Sequence, residues 1–367
     1  MKLLLLTFLA ILLTFTAFSQ QVTFSKDIQN SIDENVKQIA EVWEKYIQKY
    51  QQRADSAVIL YWNSAENNLK NGDIIGNNQG NIYYRMCKVF TYNIKPGTNK
   101  DFYEINCLSL LKPNDEINDV CAVFRVCAAK ENDEFKLYNY FYTTKDSLNT
   151  YSVDGIEYYY PCNFVFDKEK AQQASEFLKN ARKKYNLPQK QSVVYVVANS
   201  VDECNELTGF HYTVASNPNP NAGAFRFPNI LVAAKVDHIH ELTHSIFDIS
   251  FINSSTLSAE GIATYYGGNA GIPFADLKPN FLQYITEHPD VDLSDFYSYN
   301  EILQNGTNPF YFVGALIIDY SMKNGGEQAV LRLFEYNNDK IYDLFLNEFG
   351  VKRDEVHNFI LKLAHDE

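Results

Sequence analysis

The sequence has 367 residues, of which 45 are acidic and 32 basic, and its formal net charge is −13 with the seven histidines neutral. This length exceeds that of a typical single domain and predicts two domains, each able to bury its own core. Because the basic residues are scattered, they form no positive stripe for phosphate groups. That argues against nucleic acids and anionic membrane surfaces as partners.

The N-terminus has the layout of a secretory signal peptide. Lys2 precedes an apolar run that ends near Phe18, and small residues follow, so cleavage is expected after Ser19 or Gln20. The run is short for a membrane span, and no other stretch approaches about 18 apolar residues. A retained anchor is the alternative. We expect residues 1–19 to be removed and the mature chain to be exported, periplasmic or extracellular, without a membrane span.

Residues 20–165 are predicted to form an N-terminal α+β domain. Apolar residues between Ser25 and Gln51 recur at steps of three and four, which indicates one amphipathic helix. They are Ile28, Ile32, Val36, Ile39, Trp43, Tyr46 and Ile47. From about Ile82 to Phe166, short runs rich in Tyr, Phe, Val and Ile, ending with "GIEYYYPCNFVF", predict an antiparallel meander. The segment has no ligand cluster or phosphate loop, so we expect a binding or shielding role.

The mature chain contains all six cysteines, and none of them belongs to a CxxC pair. A zinc site made of thiolates is therefore not expected. Six cysteines allow about fifteen pairings, so no pairing is assigned. We expect small buried hydrophobic side chains with one or two disulfides. The cysteines are Cys87, Cys107, Cys121, Cys127, Cys162 and Cys204.

Residues 166–367 are predicted to form a second domain. A helix in "KEKAQQASEFLKNARKKYNLP" ends at Pro188, and the strand "SVVYVVANS" follows it. Two extended stretches, "TGFHYTV" and "GAFRFPNILVAA", come next, and most of the chain after Ile249 has helical apolar spacing. The predicted fold class is α+β, with a helix and antiparallel sheet followed by a mixed sheet and a mostly helical C-terminal half.

The stretch "VDHIHELTHSIFD" contains the pattern H-E-x-x-H, formed by His240, Glu241 and His244. On a helix, residues four apart lie on one face, so both imidazoles can reach the same metal ion with Glu241 beside it. His238 lies two residues before His240, about 200° around a helix, and is expected to point away from the ion.

A catalytic zinc needs a third protein ligand and an open position for water. The metzincin pattern requires Gly and His where this chain has Phe247 and Ser250. The inverted order H-x-x-E-H is also absent. A carboxylate from a following helix is then the remaining source of a ligand.

Glu260, in "LSAEGIATYYGG", follows His244 by sixteen positions. With H-E-x-x-H followed by E-G-x-A-x-Y, the chain resembles the gluzincin metallopeptidases related to thermolysin, and in particular their peptidase MA-like branch. The resemblance covers roughly residues 166–367 and implies a zincin-like catalytic domain, with zinc held by His240, His244 and Glu260 and with Glu241 as general base.

The resemblance has one departure. Thermolysin-like members carry an Asp four residues after the glutamate ligand to orient a histidine, and this chain has Thr264 there. Asp237 and Asp248 are the candidates for that orienting role.

A later segment, "NPFYFVGALIIDYSMKNGG", looks like another helix of the same family. It supplies Tyr311 as the candidate stabiliser of the oxyanion, with Tyr299 and His288 as alternatives. The resemblance also implies that an extended peptide pairs with an edge strand, for which "GAFRFPNILVAA" is the candidate.

The function expected from these motifs is that of a secreted zinc metallopeptidase acting on peptides or proteins. One alternative is a catalytically inactive zincin-fold protein that binds a partner at the cell envelope. Glu241 argues against it, since a binding module has no need of a general base beside a metal. Another alternative is a zinc enzyme that hydrolyses a different amide or an ester.

Overall fold

The computed structural model describes residues 22–52, 60–67, 73, 75–76, 81–114, 117–188, 192–213, 223–226 and 230–366. The predicted signal peptide, residues 1–19, lies outside these residues. The predicted α+β class is confirmed, with helices and mixed sheets in the described chain. Of the helices described, none is both long enough and apolar enough to cross a membrane.

The secondary-structure elements are numbered here in chain order. The strands are β1 (Thr23–Phe24), β2 (Lys88–Pro96), β3 (Tyr103–Asn114), β4 (Ile117–Glu131), β5 (Glu134–Asn139), β6 (Asn149–Val153), β7 (Ile156–Tyr160), β8 (Val193–Val197), β9 (Phe210–Thr213), β10 (Gly223–Arg226) and β11 (Ile230–Ala233). The α-helices are α1 (Lys26–Gln29), α2 (Glu34–Gln51), α3 (Ser64–Asn67), α4 (Tyr140–Thr144), α5 (Lys168–Tyr185), α6 (Val201–Leu207), α7 (Ile239–Ser250), α8 (Thr256–Gly267), α9 (Lys278–Glu287), α10 (Pro309–Leu333), α11 (Ile341–Phe349) and α12 (Val356–Asp366). A π-helical turn spans Asn81–Met86, and 3-10 turns span Lys145–Ser147, Phe274–Asp276, Asn338–Lys340 and Arg353–Glu355.

The chain divides into two compact units, residues 1–146 with 205–216 and residues 147–204 with 217–367. The boundary predicted from the sequence lies between residues 165 and 166. The difference comes from strand pairing. The β6–β7 hairpin pairs with β8 of the second unit, and β9 pairs with β4 of the first.

The first unit contains a sheet in the order β1-β2-β3-β4-β5, with β9 also paired to β4. Strands β2 to β5 are consecutive antiparallel neighbours, as the meander predicts. The prediction was wrong for "GIEYYYPCNFVF", because β7 runs parallel to β8 in the other sheet. Alternation of apolar residues indicates a strand but does not identify its partner.

Helix α2 supplies the core of this unit. Asp33 caps it by accepting a hydrogen bond from the Asn35 N–H at 2.8 Å, and its buried residues include Ile39, Trp43 and Tyr46. The single helix predicted from Ser25 is in fact two, because the chain leaves helical geometry between α1 and α2. Ile32 lies in that break and is 95% exposed, so it is not part of the apolar face.

The carboxyl group of Asp73 is buried in the same core. Asp73 is only 1% exposed, accepts a hydrogen bond from the Gly76 N–H at 2.9 Å, and also accepts from the Tyr46 hydroxyl. Burial raises the pKa of Asp73 from 3.8 to about 6, although these hydrogen bonds act in the opposite direction.

We expect the stability of the first unit to fall as pH rises from about 4 to about 6. The folded chain binds the Asp73 proton more tightly than the unfolded chain, so folding takes up a proton in that window. The shift, about 6 less 3.8, is roughly 2 units and corresponds to about 3 kcal/mol. Urea unfolding of the wild type and Asp73→Asn, followed by tryptophan fluorescence, measures it, because Trp43 and Trp62 both lie in the first unit.

The advantage of Asp73→Asn over wild type should grow by about 3 kcal/mol between pH 4 and pH 7. A difference between the two proteins that stays constant with pH would contradict the prediction. Tyr50→Phe is a suitable comparison, since it removes a hydroxyl that donates to the Gly76 carbonyl at 2.6 Å and leaves the carboxyl in place.

The second unit contains a mixed sheet in the order β10-β11-β8-β7-β6. Strands β11, β8 and β7 are parallel, while β10 and β6 are antiparallel to their neighbours. One apolar core joins β7, β8 and β11 to α5 and to the helices from α7 onward. Asp167 caps α5 by accepting from the backbone N–H groups of Glu169 and Lys170, each at 3.0 Å.

None of the six cysteines is in a disulfide. The expected disulfides are therefore not formed, whereas the expected burial holds for all but Cys162, which is exposed. Burial also raises the pKa of the Cys107 thiol to about 12, which makes it unreactive.

Candidate metal centre

The histidine-bearing helix, α7, begins at a turn that two core tyrosines hold in place. The Tyr158 hydroxyl donates to the Val236 carbonyl at 2.8 Å. The Tyr195 hydroxyl donates to the Lys235 carbonyl and accepts from the His238 N–H at 3.2 Å. Because β7 and β8 carry these tyrosines, the sheet fixes where the helix starts.

His238 is the N-cap of α7 and not one of its helical residues. Its Nδ1 accepts a hydrogen bond from the Glu241 N–H at 3.4 Å. The sequence predicts a helical His238 that points away from the site. The structure instead places it at the first turn, where it satisfies one of the N–H groups that a helix leaves unpaired. It is not a member of the ligand group.

His240 and His244 lie one turn apart on α7, and α8 brings Glu260 to them. The two helices approach each other closely at Gly267, where a Cβ would lie 2.2 Å from the His240 backbone nitrogen. Only glycine allows that approach. Ser255 fixes the start of α8, where its hydroxyl accepts from the Ser258 N–H at 3.1 Å.

The three side chains converge through atoms that carry lone pairs. Glu260 Oε2 lies 3.3 Å from His240 Nε2 and 3.5 Å from His244 Nε2. One potential ligand atom from each residue lies within 4.8 Å of the others. The Oε2 atom is buried, yet it accepts no hydrogen bond with normal geometry from the described residues. Three facing acceptors of this kind fit a divalent cation between them.

Glu260 and His244 each shift the pKa of the other. Burial favours protonation of Glu260, but the facing imidazoles of His244 and His240 outweigh it and lower the pKa of Glu260. Burial also disfavours the charged form of His244, while Asp248 and Glu260 together raise its pKa. A cation bound between the three side chains would supply the positive charge that the protonated His244 imidazole otherwise supplies to Glu260.

Each histidine has a second partner on its other nitrogen. His240 Nδ1 lies 2.8 Å from the Gly268 carbonyl oxygen, a hydrogen bond that leaves Nε2 free to bind a metal. His244 Nδ1 lies 3.2 Å from Asp248 Oδ2, close enough for an ion pair although it is not aligned as a hydrogen bond. Of the two predicted orienting residues, Asp248 therefore lies at the site, whereas Asp237 lies 4.0 Å from Lys170.

Tyr311 also lies at the centre. Its ring stacks on that of His240, with centroids 6.0 Å apart and planes inclined by 20°. The negative charge of Glu260, then burial, then the charge of Glu241 raise the pKa of Tyr311, so its hydroxyl stays protonated. The two alternatives are engaged elsewhere. The Tyr299 hydroxyl donates to the Leu293 carbonyl at 3.1 Å, and the exposed His288 stacks on Tyr284.

Tyr311 and Glu260 meet because α8 and α10 cross at two glycines. A Cβ on Gly261 would lie 2.6 Å from the Gly314 carbonyl, and one on Gly314 would lie 2.6 Å from the Leu257 carbonyl oxygen. Both distances are far below those of real Cβ contacts. The glycine of the E-G-x-A-x-Y pattern thus has a packing reason that the sequence alone does not reveal.

The edge strand β10 passes beside Glu241. A Cβ on Gly223 would lie 2.7 Å from Glu241 Cγ and 3.0 Å from His238 Nε2. Strand β10 pairs only with β11 among the described strands, so its other edge has no strand partner there. This strand belongs to the segment "GAFRFPNILVAA", the candidate edge strand for pairing with an extended peptide.

The donor set suits zinc better than calcium or magnesium, which prefer oxygen ligands. It consists of two imidazole nitrogens and one carboxylate oxygen. Comparison of the chain with protein-family models gives no match, and comparison with curated proteins gives none. The assignment of chemistry therefore depends on the motifs and on this geometry.

Proposed function

We propose that the chain is an exported zinc metallopeptidase of the gluzincin type, hydrolysing peptide bonds in peptides or proteins. The observation that carries the proposal is the convergence of His240, His244 and Glu260 within 4.8 Å, on the two helices that bear the linked motifs. Export follows from the apolar leader and from the signal-peptide layout of the first residues.

Zinc, when bound, lowers the pKa of a coordinated water to about 7 and polarises the substrate carbonyl. The Glu241 carboxylate accepts the proton of the attacking water and then passes it to the nitrogen of the leaving amine. The Tyr311 hydroxyl, kept protonated by the two nearby carboxylates, donates a hydrogen bond to the developing oxyanion. The edge of β10 that pairs with no described strand offers backbone groups that hold the substrate extended.

Glu241 supports an enzyme in preference to a binding module. It is 8% exposed and lies outside the three-ligand group, yet it belongs to the same helical turn. A carboxylate next to the ligand group can accept a proton from a metal-bound water, a role that a binding module does not require. Peptide and ester substrates then distinguish a peptidase from an esterase.

The direct test is metal analysis of the purified chain together with cleavage of a peptide library. We expect about one zinc per chain and cleavage of peptide bonds in the library. Glu260→Gln should weaken zinc binding by about 100-fold or more, because it replaces an anionic ligand with a neutral amide. Glu287→Gln is the matched control on an exposed helix end, where Glu287 accepts from Gln283 at 2.8 Å. A wild type that binds no zinc would contradict the proposal.

A further inference from the structure

A tight turn follows α8 and contacts the N-terminus of α10, the helix that carries Tyr311. Asn269 and Ile272 exchange two backbone hydrogen bonds, at 2.9 and 3.0 Å, around Ala270 and Gly271. Both central residues have positive φ, 54° and 82°, which is the geometry of a two-residue hairpin turn. The turn therefore fixes the backbone of Asn269 independently of the contacts of its side chain.

The side chain of Asn269 holds the N-terminus of α10. Its Oδ1 accepts a hydrogen bond from the Asn308 N–H at 2.6 Å. Asn308 is the N-cap of that helix. It accepts from the Phe310 N–H at 2.9 Å through Oδ1 and donates to Asn300 Oδ1 at 2.9 Å through Nδ2. Tyr311 follows three residues later, and its N–H donates to the Asn308 carbonyl at 3.1 Å.

The residue before Asn269 supports a zinc ligand. The Gly268 carbonyl accepts from His240 Nδ1, and the His240 ring is the one on which Tyr311 stacks. Two adjacent residues thus make contacts near the site: Gly268 contacts His240 through its backbone carbonyl, and Asn269 contacts the N-cap of α10 through its side-chain oxygen.

We infer that Asn269 is a positioning residue, which sets the place of Tyr311 relative to His240 by holding the Asn308 N–H. The inference deepens the proposed function and its catalytic part rests on it. A displacement of about 1 Å in a catalytic group can cost about 100-fold in rate. An acceptor at position 269 therefore matters for turnover although it touches neither substrate nor metal.

The first test does not need activity or metal. Tyr311 alone is replaced with 3-fluorotyrosine in the full chain, and its fluorine NMR resonance is recorded. Asn269→Ala should shift or broaden the resonance, and Asn269→Asp, which keeps an acceptor oxygen, should leave it near the wild-type position. An unchanged resonance in Asn269→Ala overturns the inference.

The matched control is Asn338→Ala. Asn338 Oδ1 accepts from the Thr256 N–H at 2.8 Å, so this variant removes an equivalent bond at the start of α8. It should leave the fluorine resonance unchanged. A shift as large as that of Asn269→Ala would indicate general loosening of the unit and would overturn a specific role for Asn269.

The second test separates positioning from folding through kinetics. Asn269→Ala should lower kcat by about 10- to 100-fold with little change in KM, while zinc content stays at the wild-type level. In a Tyr311→Phe background the same substitution should change kcat by no more than about twofold, because its effect passes through the missing hydroxyl. Asn269→Asp should restore most of the activity.

Equal losses of kcat in both backgrounds would show that Asn269 acts independently of Tyr311 and would overturn the inference. Failure of the proposed function has a different signature, since the wild type would then lack zinc and hydrolysis while the fluorine experiment still reported on the Asn269 contact.

Discussion

Replacing Glu241 with Gln is expected to leave zinc binding intact and to lower peptide hydrolysis by about 10²- to 10⁴-fold. The amide has nearly the same shape as the carboxyl, so it fits the narrow space beside Gly223, where a Cβ would already lie 2.7 Å from Glu241 Cγ. It cannot accept a proton from the attacking water. The loss should appear in kcat, because the proton moves in the transition state.

Zinc content by mass spectrometry and steady-state hydrolysis of a peptide measure this outcome. Glu287→Gln, which makes the same change of charge at an exposed site, should keep both properties. Equal cleavage by Glu241→Gln and wild type would refute the assigned role of the carboxylate. If both proteins bind zinc and neither cleaves peptides or esters, the chain is better explained as a catalytically inactive zincin-fold protein that binds a partner.

Gly314→Ala is expected to destabilise the second unit by about 2–3 kcal/mol and to weaken zinc binding. Its Cβ would lie 2.6 Å from the Leu257 carbonyl oxygen and 2.8 Å from Gly261 Cα, and both neighbours are backbone atoms. Backbone at a helix crossing cannot rotate out of the way as the end of a side chain can. Helices α8 and α10 must separate, which moves Glu260 away from the histidines and Tyr311 away from His240.

Thermal unfolding and zinc titration measure the two effects together. Ala259→Ser provides the control, since it adds one heavy atom at a half-buried position of α8 that is not one of the two crossing glycines. We expect it to remain within about 0.5 kcal/mol of wild type. A stable Gly314→Ala variant with normal zinc affinity would show that the contact between the two helices does not position the site.

The grouping of His240, His244 and Glu260 follows from two features that are visible in the sequence. The H-E-x-x-H spacing puts His240 and His244 on one face of a helix because residues four apart lie one turn from each other. The E-G pair sixteen residues later then supplies Glu260. The apolar spacing of α2 was equally informative, apart from Ile32, because a helical face depends on neighbours three or four residues away.

The sequence by itself determined the α+β class, the helices with strong periodicity and the three potential zinc ligands, all of which depend on residues close along the chain. Only the tertiary structure decided that the β6–β7 hairpin joins β8, that Gly261 faces Gly314, and that the Gly268 carbonyl holds His240. Strand pairing and helix crossings depend on residues far apart in the chain. Every residue has a backbone carbonyl, so no residue type marks the one that will support a ligand.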